Sequence, residues 1–197
     1  MQVTSLSKLS RGRWRVSLDR GQSFCLYTKE LSQYNLEEGS ELSDADYESI
    51  RQDILIPRCK KRGLHLLEKQ DRTEANLREK LLESDYPEDI VDIAIDYINQ
   101  FGYIDEERMA RSHIRFYQSS RSRQRIRQDL LGKGISSEVI DRCLEEEYEG
   151  DEQSLINSLL AKKHYDPDNH TYEEKAKMYR FLVSRGFSSD SINKAIN

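Results

Sequence analysis

The stretch that decides the fold reads Phe101-Gly-Tyr-Ile-Asp-Glu-Glu-Arg-Met-Ala-Arg-Ser-His-Ile-Arg-Phe116, and an arginine-rich segment follows it as far as Ile135. Asp105 is a residue type that caps helix N-termini well. The two glutamates after it fall in the first turn, where a carboxylate favours the positive end of the helix dipole. The pattern therefore predicts a helix that begins at this aspartate.

Two further helices are predicted behind the first. The second begins after Ser122 and ends before Gly134, a residue suited to a left-handed C-cap. Ser136 then caps a third helix, Val139 to Tyr148. The stretch is therefore predicted to form a unit of three helices.

This three-helix unit has a copy on each side of it. An apolar pair on the second helix recurs at offsets of 49 and 52 residues: Leu77 and Leu81, Ile126 and Leu130, Met178 and Leu182. Apolar residues recur five positions after each pair, at Tyr86, Ile135 and Phe187, and ten positions after it, at Val91, Ile140 and Ile192. A period near 50 residues indicates stacked supersecondary units.

The region before the repeats has a different pattern. Arg13–Leu18 and Ser23–Tyr27 alternate loosely around a glycine-containing turn, which predicts a small β-hairpin with an earlier strand near Val3–Lys8. A helix is expected from about Asp44 to Gln70, with a break near Pro57 because a proline inside a helix removes a hydrogen bond.

Together these patterns predict a mainly α fold. It consists of three tandem three-helix repeats that form an elongated curved array, with a small N-terminal β-hairpin extension. The expected boundaries are 1–43 for the hairpin extension and connector, 44–103 for the first repeat, 104–150 for the second and 151–197 for the third.

The composition limits the class of protein. In 197 residues, 36% are hydrophobic and 34% are charged, so the core is thin for the length of the chain. The net charge is −5, but residues 119–133 carry five basic and one acidic side chain, whereas residues 141–152 carry one basic and seven acidic. Such alternation suits a partner that presents charges of both signs.

The cysteines and the apolar runs indicate a cellular location. Cys25, Cys59 and Cys143 are odd in number and far apart, which favours reduced thiols in the cytosol. No apolar run approaches the roughly 20 residues that span a bilayer, and the N-terminus does not resemble a secretory signal. We expect a soluble, cytoplasmic monomer with no membrane partner.

The sequence offers little support for catalysis or for a cofactor. It has no phosphate-binding glycine-rich loop, no nucleophile elbow and no zinc-protease motif, so we expect no enzyme activity and no cofactor. The best metal candidate is the set His164, Asp166, Asp168 and His170. It fails as a calcium loop because Thr171 stands where the sharp-turn glycine belongs, and its composition is ordinary for a turn.

The main polar feature is a run of basic residues in the second repeat: Arg121, Arg123, Arg125, Arg127 and Lys133. A charge run is often only the solvated face of a helix, balanced here by the acids that follow. Alternatively, guanidinium groups can form a docking surface for carboxylates or phosphates. Basic residues occur in every repeat, which favours a long, periodic partner.

The hairpin contains a second candidate surface. Arg11, Arg13, Trp14 and Arg15 could stack on nucleic-acid bases. A lone tryptophan more often packs against the core, and we favour that interpretation.

Four segments resemble the bacterial RecX regulatory proteins: Asp71–Leu81, Gly102–Ala110, Arg125–Ile135 and Ser184–Phe187. The resemblance covers about residues 60–197, and the hairpin is similar to an extension seen in some members. One departure is Asp85, which stands where the other repeats have Gly134 and Gly186. This difference concerns the turn after the second helix of the first repeat.

The resemblance implies a non-enzymatic regulator of the RecA recombinase in DNA repair, recombination and the SOS response. Such proteins lie in the groove of the RecA–DNA filament and inhibit ATP hydrolysis, strand exchange and co-protease activity. On this basis, we expect the five basic residues of the second repeat to make the principal partner contacts, with Arg72 and Lys80 assisting. The alternative is a direct binder of single- or double-stranded DNA with helix-turn-helix-like units. A third interpretation is a helical scaffold for another protein.

Overall fold

The computed structural model describes residues 1–10 and 12–196. The chain forms two compact units, Met1–Ile104 and Asp105–Asn197, which are described separately below. The first contains the N-terminal sheet and the first set of helices, and the second contains the remaining helices.

The N-terminal extension is a three-stranded antiparallel sheet. Its strands are β1 (Val3–Ser10), β2 (Arg13–Leu18) and β3 (Ser23–Tyr27), in the order β1-β2-β3. The predicted hairpin and the earlier strand are therefore both confirmed, whereas Arg11 lies outside the described residues. A small sheet needs a supporting surface, and it shares one hydrophobic core with the helices of this unit.

The helices of the first unit follow a short connector. They are α1 (Thr28–Gln33), α2 (Asp44–Ser49), a π-helical segment (Ile50–Leu55), α3 (Ile56–Lys69), α4 (Glu74–Leu82) and α5 (Glu88–Gln100). The predicted break near Pro57 is wrong, because the chain stays helical through this residue. The wider π-helical turns come directly before the proline and change the carbonyl positions with which its ring would clash.

The sequence pattern predicts a wide apolar stripe on α5, made of Ile90, Val91, Ile93, Ala94, Tyr97, Ile98 and Phe101. Ile90, Val91, Ala94 and Ile98 are inaccessible to solvent, whereas Ile93 and Tyr97 are half-buried. Phe101 is 58% exposed. It lies at the C-cap, beyond the last helical turn, where the backbone no longer directs a side chain to the buried face.

The described residues of the second unit, 105–196, form six helices. They are α6 (Glu106–Tyr117), α7 (Arg123–Leu131), α8 (Ser137–Glu147), α9 (Glu152–Lys162), α10 (Tyr172–Ser184) and α11 (Ser189–Ile196). The first three surround one hydrophobic core and the last three surround another. The apolar positions that recur in the sequence, such as Ile126, Ile140, Leu182 and Ile192, are fully buried in these cores.

Helix α10 begins earlier than the sequence pattern predicted. The residue pattern predicts a helix from Lys175 to Arg185, but the first helical residue is Tyr172. Thr171 and Glu174 form a capping box in which Thr171 Oγ1 accepts a hydrogen bond from Glu174 N at 3.2 Å. Glu174 Oε2 accepts one from Thr171 N at 2.8 Å in return. This reciprocal cap starts the helix three residues sooner.

The turn after the second helix is left-handed in all three repeats. Gly134 and Gly186 have φ values of 86° and 81°, and Asp85 has a φ of 64° at the equivalent position. Glycine adopts this conformation without a steric penalty, whereas an aspartate does so only occasionally. The departure from glycine therefore leaves the turn itself unchanged.

The cysteines and helix lengths add two observations. Cys25, Cys59 and Cys143 are free thiols in buried positions, and burial raises the pKa of Cys59 to about 12. Within residues 1–10 and 12–196, no helix is both long and apolar enough to cross a membrane.

Candidate partner-binding surface

Helix α7 orients the basic residues of the second repeat. Ser122 Oγ accepts a hydrogen bond from Arg125 N at 3.1 Å and so caps the start of the helix. Ile126 and Leu130 are fully buried one turn apart. Because these two side chains fix the inward face, the arginines of the helix project away from the core.

Two of the arginines share one carboxylate. Arg125 Nε lies 3.1 Å from Asp129 Oδ1, and Arg121 donates from its NH1 nitrogen to the other oxygen of the same aspartate. The Arg121 guanidinium also lies over the ring of Tyr117, with Cζ 3.6 Å from the ring centroid. Two guanidinium groups and one carboxylate leave a net positive charge at this end of the helix.

Arg127 has a different role in the structure. Its Nε and NH2 nitrogens donate to the two carboxylate oxygens of Asp141 at 2.7 and 2.9 Å, which links α7 to α8. The hydrogen bond raises the pKa of Arg127 and lowers the pKa of Asp141. Arg127 is therefore a contact between helices of the repeat as well as a surface cation.

Arg123 is the most available of the four arginines. Its side chain is exposed and makes no ion pair with any residue in the described part of the chain. Its backbone N–H donates to Glu152 Oε1 at 2.8 Å, so a carboxylate from the third repeat binds the N-terminus of α7.

Lys133 lies just beyond the end of α7. Its side chain is exposed, and its charge contributes to the environment of His113. The pKa of His113 is lowered, first by burial and then by the nearby positive charge of Lys133.

A cleft of about 420 Å³ lies between the second and third repeats of the second unit. It is lined by three arginines, three serines and three apolar side chains: Arg121, Arg125, Arg185, Ser120, Ser122, Ser184, Leu159, Phe181 and Phe187. Ser122 Oγ donates to Arg185 O at 2.7 Å and so joins its two sides. A Cβ atom at Gly186 would lie 2.9 Å from this hydroxyl oxygen, so the close approach requires glycine.

The other two predicted contact residues belong to the first unit. Arg72 donates from NH1 to Asn76 Oδ1 at 2.6 Å, and its buried Nε has no hydrogen-bond partner among the described residues. Lys80 Nζ lies 2.7 Å from Glu83 Oε2 in an exposed pair on α4. The structure thus groups five of the seven residues along α7 and places the other two on or beside α4.

The sequence analysis missed four residues of this surface. Asp129 could have been found, because it stands four positions after Arg125 and this spacing places opposite charges side by side on a helix. Asp141, Glu152 and Arg185 meet α7 only through the tertiary fold. No local pattern indicates these contacts.

The polar loop of the third repeat has the hydrogen bonds of a turn. Asp166 Oδ1 accepts from Asp168 N at 3.0 Å, and His170 Nδ1 lies 3.2 Å from the carbonyl oxygen of Asp166. In the part of the chain that the structure describes, no three His, Cys, Asp or Glu side chains are grouped so that they could hold a metal ion.

The fold and this surface define a protein of tandem three-helix repeats with an N-terminal antiparallel sheet. Family models match the three repeats in order: the first three-helix domain of RecX at residues 59–97, the second at 105–144 and the third at 151–196. The chain belongs to the RecX family.

Individual relatives cover nearly the whole chain. It is 26% identical to the regulatory protein RecX of Clostridium beijerinckii, in an alignment that covers 100% of this chain and 93% of the relative. The RecX of Clostridium tetani is 27% identical over the same shares of the two chains.

Solved structures of the family have the same fold. A crystal structure of regulatory protein RecX superposes with a TM-score of 0.64 at 26% identity and covers 98% of both chains. RecX from Lactobacillus salivarius superposes with a TM-score of 0.57 at 21% identity over 72% of this chain and 94% of that chain, a likeness of fold alone.

Proposed function

We propose that this protein is a non-enzymatic regulator of the RecA recombinase. It binds in the groove of the RecA–DNA filament in the cytoplasm, and it lowers ATP hydrolysis, strand exchange and co-protease activity during DNA repair and recombination. The observation that carries the proposal is the ordered match of all three repeats to the RecX domains, together with full-length relatives named as regulatory proteins.

The charges along α7 support a role in binding a protein surface. Among the described residues, the Arg123 guanidinium has no ion-pair partner, and the Arg125 side chain is more than half exposed beside Asp129, so both can reach a partner carboxylate. Arg127 and Arg121 are held by neighbouring side chains, so their orientation is set before a partner binds. Lys133 extends the surface, and Arg72 and Lys80 contribute contacts from the first unit.

The test is ATP turnover by preassembled RecA filaments titrated with this protein. We expect turnover to fall to a plateau as the filament sites fill. In parallel, DNA binding is measured without RecA over a range of salt concentrations. Unchanged ATP turnover would contradict the proposal. Tight RecA-independent binding that weakens steeply with salt would instead support the direct nucleic-acid binder.

A matched pair of variants tests the contact residues. Replacing Arg121, Arg123, Arg125 and Arg127 by alanine should weaken inhibition at least tenfold, or about 1.4 kcal/mol, without unfolding the chain. The control replaces four cations elsewhere in the second unit, Lys175, Lys177, Arg180 and Lys194, and changes the net charge equally. If both variants lose the same amount of inhibition, overall charge rather than α7 is responsible.

A further inference from the structure

The cleft between the second and third repeats brings together three guanidinium groups and an apolar wall. Arg121 and Arg125 line it from the start of α7, and Arg185 lines it from the end of α10. Asp129 accepts a hydrogen bond from one nitrogen of Arg121 and forms an ion pair with Nε of Arg125, so most N–H donors of the two arginines are not bound to it. Three guanidinium charges against one carboxylate give this side of the cleft an excess of two positive charges.

Arg185 is the least engaged of these three arginines. Its guanidinium lies against the ring of Phe181, with Cζ 4.6 Å from the centroid, and forms no ion pair among the described residues. Stacking against the ring fixes the plane of the guanidinium and leaves its edge free for hydrogen bonds. An edge-on guanidinium is the arrangement that a carboxylate binds with two parallel hydrogen bonds.

Three of the side chains that line the cleft are apolar. Phe187 is buried, while Leu159 and Phe181 are half-buried and present part of their surface to the cleft. The combination suits a ligand with an anionic group beside a hydrophobic group. Aspartate or glutamate next to a leucine or phenylalanine in a peptide has this chemistry.

Neighbouring charges favour a short acidic peptide over a nucleic-acid backbone. Glu152 lies at the N-terminus of α7, directly beside the cleft, and residues 141–152 carry seven acidic side chains and one basic. A polyanion that continued past the cleft would meet this negative charge, whereas a single carboxylate would meet only the arginines. The chain itself already places a carboxylate between two of these guanidinium groups, because Asp129 contacts both Arg121 and Arg125.

We propose that this cleft is a docking site for an acidic segment of the partner protein, with a carboxylate held by Arg121, Arg125 and Arg185 and an adjacent apolar side chain against Phe181. The inference deepens the proposed function and rests on it for the identity of the partner. The binding of an acidic segment in the cleft rests on the cleft residues alone and does not depend on which protein the partner is.

The first experiment measures binding of a defined peptide to the full chain by NMR titration. The probe is acetyl-Asp-Phe-Glu-amide, and its neutral analogue has asparagine and glutamine in place of the two acids. We expect the acidic peptide to bind and to shift the amide signals of residues 122–125 and 184–187, with at least tenfold weaker binding of the neutral analogue. Equal binding of the two peptides, or no shift at these amides, would overturn the proposal.

Single charge reversals give the matched comparison. Arg185→Glu reverses a charge that makes no ion pair within residues 1–10 and 12–196, so the fold should be preserved, and it should weaken peptide binding at least tenfold. Arg180→Glu reverses an exposed charge on the same helix outside the cleft and should leave peptide affinity within about twofold of the wild type. Similar losses in the two variants would contradict a local site.

The competing ligand is a phosphate backbone. A single-stranded DNA dodecamer is titrated in place of the peptide, and we expect weaker binding that Arg185→Glu does not change. DNA that shifts the same amides at lower concentration, and loses this effect in Arg185→Glu, would assign the cleft to nucleic acid and overturn the carboxylate assignment.

The last comparison separates this inference from the proposed function. Wild type and Arg185→Glu are titrated against RecA filaments, and we expect the variant to need a higher concentration for the same inhibition. Peptide binding without any effect on RecA would support the cleft and contradict the proposed function. Full inhibition by a variant that no longer binds the peptide would leave the proposed function intact and exclude the cleft as the docking site.

Discussion

Asp85 shows how one side chain can replace a glycine in a repeated turn. Its backbone lies in the left-handed region, which costs an ordinary L-residue roughly 1 kcal/mol or more relative to glycine. The carboxylate forms ion pairs with Arg13, at 3.2 Å, and with Arg15, both on β2 of the N-terminal sheet. Glycine could not make this connection between the turn and the sheet.

Substitutions at Asp85 should separate the two effects. Asp85→Ala loses the two ion pairs and keeps the backbone strain, so we expect a loss of about 1–2 kcal/mol in the free energy of unfolding. Asp85→Gly loses the ion pairs but relieves the strain, and it should be more stable than the alanine variant by roughly 1 kcal/mol. Urea unfolding followed by circular dichroism measures both values.

The matched control is Gly134→Ala, which introduces the strain at the equivalent turn of the second repeat without removing an ion pair. We expect it to cost about 1 kcal/mol. If Asp85→Ala is as stable as the wild type, the ion pairs do not contribute as described, and if Asp85→Gly is no more stable than Asp85→Ala, the strain does not.

At the scale of single residues, the sequence predicts what local chemistry decides. Ser122 and Ser136 cap helices as expected, because a hydroxyl before a helix satisfies a nearby backbone N–H whatever the tertiary fold, and Thr73 caps α4 in the same way. Phe101 could not be placed in this way. Its exposure depends on where the helix ends, and helix ends are less strongly specified by periodicity than helix faces.

At the scale of elements, a carboxylate on α8 joins two arginines of α6. Glu147 Oε1 accepts from Arg111 NH1 at 2.9 Å and from Arg115 NH2 at 2.7 Å. These hydrogen bonds, the Arg115 contact foremost, lower the pKa of Glu147 to about 2. The pair of helices is thus linked by a contact that requires the ionised carboxylate.

This contact predicts a defined acid sensitivity. The pKa of Glu147 is lower in the folded chain than the usual value of about 4.3. The ionised carboxylate therefore stabilises the folded chain fully at pH values above about 4.3. The effect should be lost as the pH falls from about 4.5 to about 2. Glu147→Gln should therefore lower the melting temperature at pH 7 and show a smaller difference from the wild type near pH 2.

Thermal melts across this pH range, followed by circular dichroism, give the measurement. Glu145→Gln is the control, since Glu145 is exposed on the same helix and makes no ion pair in the described part of the chain. This linkage would be ruled out if the difference in melting temperature between the wild type and Glu147→Gln stayed constant from pH 7 to pH 2.

The sequence alone does not show which carboxylates of α8 pair with α6. Residues 145–147 are three consecutive glutamates, and both Glu146 and Glu147 pair with Arg111 of α6, whereas Glu145 does not. The packing of Cys143 and Leu144 into the core fixes the rotation of the helix that brings these two glutamates to α6. Helix faces are therefore predictable from apolar residues, whereas ion pairs follow only after packing is known.

At the scale of the whole molecule, the three repeats have unequal hydrophobic cores. The first repeat shares a large core with the N-terminal sheet. The second and third have separate small cores within one compact unit. The internal repeat in the sequence predicts three similar sets of helices, but it does not show that the sheet enlarges only the first core.

This difference predicts which parts of the chain fold alone. A fragment of residues 1–104 should unfold cooperatively, because sheet and helices bury one continuous core. A fragment of residues 105–197 should also fold. The third repeat alone, residues 151–197, should not, since domains shorter than about 70–80 residues rarely gain more than roughly 3–5 kcal/mol from a single core.

Contacts with the second repeat add stability that the small core of the third repeat does not provide. Ser122 Oγ donates to Arg185 O at 2.7 Å, and Glu152 accepts from Arg123 N, so two hydrogen bonds join the repeats. In the fragment 105–197, Ser122→Ala removes the first of these and the cap of α7, and should lower stability by about 1–2 kcal/mol. Ser136→Ala removes only the cap of α8 and is the matched control, with an expected loss of about 1 kcal/mol. Thermal melts measure both losses of stability. Cooperative folding of residues 151–197 alone would show that the third repeat is stable without its neighbour.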